Sequence, residues 1–266
     1  MKNLIIGNTS QISHYFDNNE NNVFISSRNI DFDKIKDIEW NRIYLCYGES
    51  RKFLNDSGLY NEINYELTKY HVDTLHKQCK KIIIFSTCEL WNRCNGKIDL
   101  LTPQNYYNTP YLSSKSKITN YVLEKQKSGQ LLNVIIIYPF NFNSIYRKKD
   151  FLFGKVFNSI INKELIEIGN THFYRDIISP KYLYDRITKA ETNEMVGSGR
   201  MIYVNDFIKD LYSSFGLKYK SYVKENTGQY REYEKTNEYY FNSNECMCSY
   251  ENLLQDTVDE IKQQIR

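Results

Sequence analysis

A phenol and an ammonium group stand four residues apart at Tyr111 and Lys115, at the start of a stretch with helical apolar spacing. Four residues is about one helical turn, so the two side chains share a face. A lysine ammonium beside a phenol favours phenolate, which predicts a tyrosine pKa lowered toward working pH and a group able to move a proton. Upstream, the apolar run Ile82-Ile83-Ile84-Phe85 stops at Ser86-Thr87, whose hydroxyls would point into the same crevice. At the amino end, Leu4-Ile5-Ile6 stops at Gly7, a buried strand meeting a tight turn. Metal chemistry is not expected. The histidines (His14, His71, His76, His172) form no ligand pair, Cys88 and Cys94 lie too far apart for a zinc knuckle, and Cys246 and Cys248 lie too close. The six cysteines read as reduced thiols.

The elements that must position these groups follow one another in a regular order. Residues 2–6, 23–26, 43–46, 82–85 and 134–138 read as strands. Residues 8–17 suit a short helix, 61–80 carry Ile63, Leu67, Val72 and Leu75 at helical spacing, and 112–127 form an amphipathic helix closed by Gly129. Strands that are apolar on both faces, alternating with helices, predict a parallel sheet covered on both sides, an α/β fold. Ligands in such sheets bind at the carboxyl ends of the strands. After residue 140 the strand signal weakens. Residues 151–162 read as a helix, 165–168 as a short strand, 200–215 as a strand running into a helix, and 249–265 as a terminal helix. The division expected is a cofactor domain over 1–139 and a substrate-binding region over 140–266, with segments returning to the sheet.

Composition sets the outer limits. The chain has 266 residues, 41% hydrophobic and 25% charged, enough apolar material for a substantial core. Its net charge of +3 comes from 35 basic and 32 acidic residues that are mixed along the chain, which argues against a nucleic-acid partner. The short cluster Arg147-Lys148-Lys149 reads as a solvated loop. Abundant Tyr, Phe, Asn, Lys and Ile share AT-rich codons, so no function is drawn from them. No apolar run reaches the roughly 20 residues that span a bilayer, and the amino terminus lacks a signal-peptide pattern. A soluble cytoplasmic protein is expected.

With the Gly turn, the strand-end hydroxyl and the Tyr/Lys pair in place, the sequence resembles the extended short-chain dehydrogenase/reductase family, in its branch acting on nucleotide sugars. The resemblance runs along essentially the whole chain. It implies a Rossmann-type doubly wound sheet with a small mixed α/β substrate-binding region. Residues 82–91 look like the family strand ending in a Ser/Thr four residues before an aromatic, which makes Thr87 the catalytic hydroxyl. Pro110-Tyr111-Leu112-Ser113-Ser114-Lys115 matches the family's Tyr-x-x-x-Lys, and Asn64, opening the preceding helix, matches an asparagine of a water-linked proton relay. Asn141, in Tyr138-Pro139-Phe140-Asn141, resembles the residue contacting the sugar nucleotide. Arg175, in Tyr174-Arg175-Asp176-Ile177, resembles the arginine gripping the diphosphate. The resemblance also implies a homodimer, with Tyr65, Tyr70, Val122 and Leu123 as candidate surface residues.

The departures from the family pattern are informative. Gly-x-x-Gly-x-x-Gly stands here as Gly7-Asn8-Thr9-Ser10-Gln11-Ile12-Ser13, with serines where glycines let backbone approach pyrophosphate. Gly7 through Ile12 and Pro139 form the expected cofactor contacts with Tyr111 and Lys115. After the second strand comes Ser26-Ser27-Arg28 instead of an acidic residue; an arginine there pairs with a 2′-phosphate, so NADP(H) is favoured over NAD(H). Asp31 sits where relatives place an aspartate near adenine. A helix–strand pair found in larger relatives is missing between the second and third strands.

The resemblance leads to a ketoreductase: Tyr111 neutral as acid, Lys115 orienting the nicotinamide ribose, Thr87 hydrogen-bonding the carbonyl oxygen of a 4-keto sugar nucleotide. A 4,6-dehydratase would need an acid and a base at Cys88 and Glu89, and cysteine substitutes poorly for a carboxylic acid. The same residues are compatible with a 4-epimerase, or with a non-catalytic NADP(H)-binding module. Cys88 and Glu89 could also touch substrate as additional acid/base groups. The setting implied is surface-polysaccharide biosynthesis.

Overall fold

The computed structural model describes residues 1–28, 30–35, 37–51, 54, 56–228, 238–242 and 248–265. Cys246 and parts of the polar 220–245 stretch lie outside them. The chain divides into two compact units. Unit 1 comprises Met1–Leu90, Tyr106–Pro139 and Arg186–Met195, and unit 2 the remainder. Pro139 thus closes one segment of unit 1, while residues 91–105 belong to unit 2, an excursion that no local pattern announces.

Unit 1 is built on the strands β1 (Asn3–Ile6), β2 (Asn22–Ile25), β3 (Trp40–Leu45), β4 (Cys79–Phe85), β5 (Val134–Pro139) and β6 (Glu194–Val196), in the spatial order β6-β5-β4-β3-β1-β2. The pairings from β2 through β5 are all parallel. Ile43 pairs with Leu4 on one side and with Ile82 on the other, and Ile84 pairs with Ile136. These β-branched and leucine side chains are fully buried, as strands covered on both faces require. β2 ends the sheet. It follows that the helix–strand pair absent from the sequence would have extended the sheet beyond β2. The returning segment is tied down by Arg42, which donates to Ala190 O at 2.6 Å, and by Asn193, whose Oδ1 accepts from Ile136 N at 2.9 Å.

Two expected elements differ from the sequence reading. Residues 8–17 hold only a 3-10 turn, Ile12–Tyr15. The helix expected over 61–80 starts earlier and is segmented: Ser57–Tyr60 and Thr68–Leu75 are α-helical, and Asn61–Leu67 between them is π-helical. The long helix Pro110–Lys127 follows expectation. Thr109 caps it, its Oγ1 accepting from Leu112 N at 3.2 Å, and Pro110 takes the first turn, where its missing N–H costs nothing. Val122, expected as a dimer contact, is fully buried within unit 1 and is withdrawn from that surface.

Unit 2 is made of short strand pairs: Gly96–Ile98 with Tyr239–Phe241, Asn141–Phe142 with Ile177–Ile178, and Ile166–Gly169 with Val223–Asn226 are parallel, and Tyr174–Arg175 with Ile202–Tyr203 is antiparallel. The helix Leu152–Asn162 presents Phe153, Val156, Phe157 and Ile160 along one stripe to a core shared with Val204–Ser214 and Tyr250–Ile265.

Candidate active site

β4 delivers two hydroxyls, and packing separates their roles. Ser86 Oγ is buried 2.8 Å from Thr119 Oγ1 on the Pro110–Lys127 helix, so it locks strand to helix and does not enter the crevice as expected. Thr87 hydrogen-bonds the Tyr111 hydroxyl, and its Oγ1 accepts from Glu89 N at 3.2 Å. Tyr111 is buried, with the ring of Tyr60 edge-on at 6.0 Å. Burial, reinforced by the Glu89 charge and opposed by the bond from Thr87, pushes its phenol well above the usual range. This reverses the expectation of a lowered pKa. The reason is where Lys115 points: its Nζ donates to Phe85 O at 2.8 Å, and burial pulls its pKa down to about 8. In this state the phenol is neutral and the ammonium is held against a main-chain carbonyl.

The end of β3, one of the strand ends where a ligand is expected, completes the surround, and what sequence reasoning missed is the meeting of Gly48 with Asn64 and Lys115. A Cβ added at Gly48 would lie 3.2 Å from Asn64 Oδ1 and 3.4 Å from Lys115 Nζ. Asn64 does not open its helix; it lies within the π-helical segment, and such segments recur at functional sites. Its Oδ1 accepts from Glu49 N at 2.8 Å, while its Nδ2 donates to Glu49 O at 3.0 Å and to Ser114 Oγ at 3.1 Å. The amide thus fixes the backbone that passes Lys115. The only signal available in the sequence was a glycine just beyond an apolar strand.

The glycine turn is real at its first position. Gly7 has φ +97°, and a Cβ there would lie 3.0 Å from Tyr47 Cβ and Tyr47 N. The serines at the second and third positions bond each other: Ser10 Oγ accepts from Ser13 N at 3.2 Å, and Ser13 Oγ donates to Ser10 O at 2.7 Å. They form a closed clasp that starts the 3-10 turn. Asn8 and Thr9 lie at its tip, Asn8 exposed and Thr9 exposed, while Gln11 is half-buried and Ile12 is buried. Arg28 is exposed beyond β2, with its N–H bonded to Ser26 Oγ at 3.3 Å. Asp31 pairs with Lys34 at 3.1 Å on the surface.

The family model described as NAD dependent epimerase/dehydratase family matches residues 18–190, more than half of the chain. The chain belongs to that family. The match begins downstream of the serine clasp. Among solved structures, this family member is similar to RMD from Pseudomonas aeruginosa complexed with NADPH, at 13% identity and TM-score 0.76 over 99% of this chain and 100% of that one. It is similar to dTDP-glucose 4,6-dehydratase from Bacillus anthracis in complex with NAD, at 18% identity and TM-score 0.77 over 99% and 97%. It is likewise similar to UDP-glucuronic acid 4-epimerase from Bacillus cereus in complex with NAD, at 16% identity and TM-score 0.74 over 99% and 97%. Identities this low establish the shared Rossmann-type fold. No curated protein sequence matches the chain.

Family membership makes the chain an NAD(P)-dependent enzyme of the extended short-chain dehydrogenase/reductase type. Its residues fit a dinucleotide: the glycine-only turn at Gly7, the exposed Asn8 and Thr9, Arg28 beyond β2, half-buried Pro139 ending β5, and the Lys115 ammonium beside Gly48. Cys88 is buried and Glu89 is half-buried next to Tyr111's hydroxyl partner Thr87. On unit 2, Asn141 Nδ2 reaches Asp176 O at 3.5 Å, and Arg175 donates to Tyr174 O at 2.7 Å while stacking over Phe173 at 4.5 Å. Two residues beyond Asn141, Asn143 is buried with neither amide atom partnered among the described residues. Sequence reasoning counts it in the Pro139–Asn143 strand end and gives it no role of its own. No three His, Cys, Asp or Glu side chains among the described residues gather as metal ligands, and no described helix is long and apolar enough to cross a membrane.

Proposed function

We propose that this enzyme uses NADPH to reduce a 4-keto group on a nucleotide-activated sugar. The observation that carries the reading is the placement of the buried Tyr111 hydroxyl against Thr87 at the end of β4, one helical turn from Lys115. A phenol kept neutral by burial and by the Glu89 charge, and bonded to Thr87, is prepared to give a proton. The cofactor supplies the hydride. Thr87 and Tyr111 donate to the oxygen that gains negative charge, and Tyr111 then delivers the proton that makes the alcohol. Lys115, held by Phe85 O beside Gly48, orients the cofactor ribose. Asn64 positions the Gly48–Glu49 backbone and is assigned to the water-linked proton relay behind Tyr111 and Lys115.

Arg28 supports NADPH over NADH, because an exposed guanidinium beyond β2 suits a 2′-phosphate. A 4,6-dehydratase would draw its acid from Cys88, a buried thiol that matches the role poorly. A 4-epimerase and a non-catalytic NADP(H)-binding module remain the competing readings. Asn141 and Arg175 are assigned to the sugar nucleotide, and the enzyme to a cytoplasmic homodimer in surface-polysaccharide biosynthesis.

Calorimetry of the protein with NADPH and NADH tests the cofactor half. Preference for NADPH, lost in Arg28→Ala, supports the reading. Tightly retained NAD points to the epimerase, and no binding of either cofactor refutes an enzyme of this class. Reduction of a 4-keto sugar nucleotide by Tyr111→Phe at the parent rate refutes the catalytic assignment.

A further inference from the structure

In unit 1 the segmented helix over residues 57–75 holds the end of β3 on both sides of Gly48. On one side Asn64, in the π-helical segment, bonds the Glu49 backbone through Oδ1 at 2.8 Å and Nδ2 at 3.0 Å. On the other side Thr68 and His71, further along the same helix, both hydrogen-bond the Tyr47 hydroxyl, His71 through Nδ1 at 2.6 Å. Burial holds the His71 imidazole down at about 4 and pushes the Tyr47 phenol above its usual range, so both are uncharged at neutral pH. The phenol keeps its proton and donates it to the ring nitrogen.

The residue held in this way borders both glycines of the cofactor site. A Cβ at Gly7 would lie 3.0 Å from Tyr47 Cβ and Tyr47 N, so the turn after β1 closes directly on Tyr47. Gly48, the next residue, is exposed, and a Cβ there would lie 3.4 Å from Lys115 Nζ. The His71 ring also lies 5.9 Å from that of Phe32, in the short helix Phe32–Ile35 that follows Arg28. One imidazole therefore ties together the chain that leaves β2 and the chain that leaves β3. A staple between strand and helix could stand anywhere along β3, but this one stands where β3 meets the glycine turn. A tyrosine side chain has a small set of staggered orientations, and the bonds to Thr68 and His71 select the one that directs the ring onto the helix.

We propose that Tyr47 and His71 are a positioning pair for the dinucleotide, the imidazole holding the phenol so that the Gly7 turn and the edge between Gly48 and Lys115 stay set for the cofactor. Neither residue takes part in hydride or proton transfer. Their role rests on the dinucleotide binding described above and adds to it two residues that set its strength.

The test compares the parent, Y47F, H71L, H71N and the double variant Y47F/H71L by calorimetry with NADPH, by steady-state kinetics on a 4-keto sugar nucleotide and by melting without ligand. Y47F and H71L should each weaken NADPH binding about five- to tenfold, the size of one lost hydrogen bond. KM for NADPH should rise in step while kcat stays within about twofold of the parent, the pattern of lost binding and not of lost chemistry. The double variant should bind no more weakly than either single one, because both substitutions remove the same bond. H71N, whose amide oxygen stands in for the Nδ1 acceptor, should bind NADPH as the parent does. Parent-like affinity in Y47F and H71L, with only the melting temperatures lowered, would make the pair a fold staple and overturn the proposal. Additive losses in the double variant, or a fall confined to kcat, would overturn it as well. If H71L does not fold, Y47F and H71N decide: the first must lose affinity and the second must keep it. A parent that binds neither NADPH nor NADH fails the cofactor reading itself, whereas a parent that binds NADPH no better than Y47F does fails the positioning role alone.

Discussion

Lys115 offers the sharpest quantitative test, because its burial fixes both a sign and a size. An ordinary lysine keeps its proton to 10.5, whereas in the folded protein burial pulls the value down to about 8. The gap, at about 1.4 kcal/mol per pH unit, amounts to about 3 kcal/mol of destabilisation at neutral pH. Below pH 8 both folded and unfolded chains hold the proton, so the penalty is full and flat. Between about 8 and 10.5 the unfolded chain binds the proton that the folded one has released, so stability rises with pH. By 10.5 the penalty is gone.

Replacing Lys115 by Met keeps most of the buried stem and removes the titrating group. It also leaves Phe85 O without its donor, a cost of about 1–3 kcal/mol that does not vary with pH. The informative quantity is therefore the difference between parent and K115M, measured by urea unfolding from pH 7 to 9.5. From the two pKa values, that difference should move toward the parent by about 2 kcal/mol across the range. All other titrating groups cancel in the subtraction. Parallel pH profiles for the two proteins would mean that the ammonium is not desolvated as the structure shows, and the account of how it is held would fail.

Four further outcomes follow from the same geometry. Tyr111→Phe should bind cofactor as the parent does and lose activity on a keto sugar nucleotide by about 100-fold or more, the usual worth of a general acid; steady-state kinetics beside calorimetry separates the two effects. Gly48→Ala crowds Asn64 Oδ1 at 3.2 Å and Lys115 Nζ at 3.4 Å, so it should lower cofactor affinity measurably, and unchanged NADPH binding would show that the Lys115 position is not critical. The double variant Ser10→Gly, Ser13→Gly opens the clasp between these residues and should tighten dinucleotide binding in calorimetry. Asn143→Leu removes a buried amide with no partner among the described residues and should raise stability by about 1–3 kcal/mol in denaturant titrations, whereas a loss would reveal a hidden partner.

What the sequence made legible was governed by local pattern. The isoleucine runs of β4 and β5 declare buried parallel strands on their own, and the Thr-Pro start of the Pro110–Lys127 helix is a capping signal visible in a few letters. The Tyr111/Lys115 pair is visible because helical spacing turns four residues into one face. What stayed hidden depends on partners far away in sequence. Ser86 and Thr87 are adjacent hydroxyls of similar chemistry, and only the arrival of Thr119 on another element decides that one is structural. The direction of the Tyr111 shift turned on the same kind of fact, since Lys115 shares its face yet is claimed by Phe85 O. Gly48 and Asn64 meet across a long span of chain, and no short-range spacing announces it.

The polar groups that the fold leaves uncompensated argue for where the ligands go. Several buried polar groups are satisfied internally: on unit 1 Asn64 by Glu49 and Ser114, and Ser10 and Ser13 by each other, and on unit 2 Asp176 by three N–H groups and a hydroxyl. Against that background, a desolvated Lys115 ammonium, an orphaned Asn143 amide and an unpaired Arg200 edge are exceptions of several kcal/mol each at most. A fold of ordinary stability, about 5–15 kcal/mol in all, retains such groups where something outside the chain compensates them. On unit 2 the exceptions are the Asn143 amide and the Arg200 edge. On unit 1 the exception faces Gly48, the place where the proposed NADPH would bring ribose hydroxyls as partners. Filling the unit 1 set should therefore stabilise the protein, and melting curves with and without NADPH would show whether the increment appears.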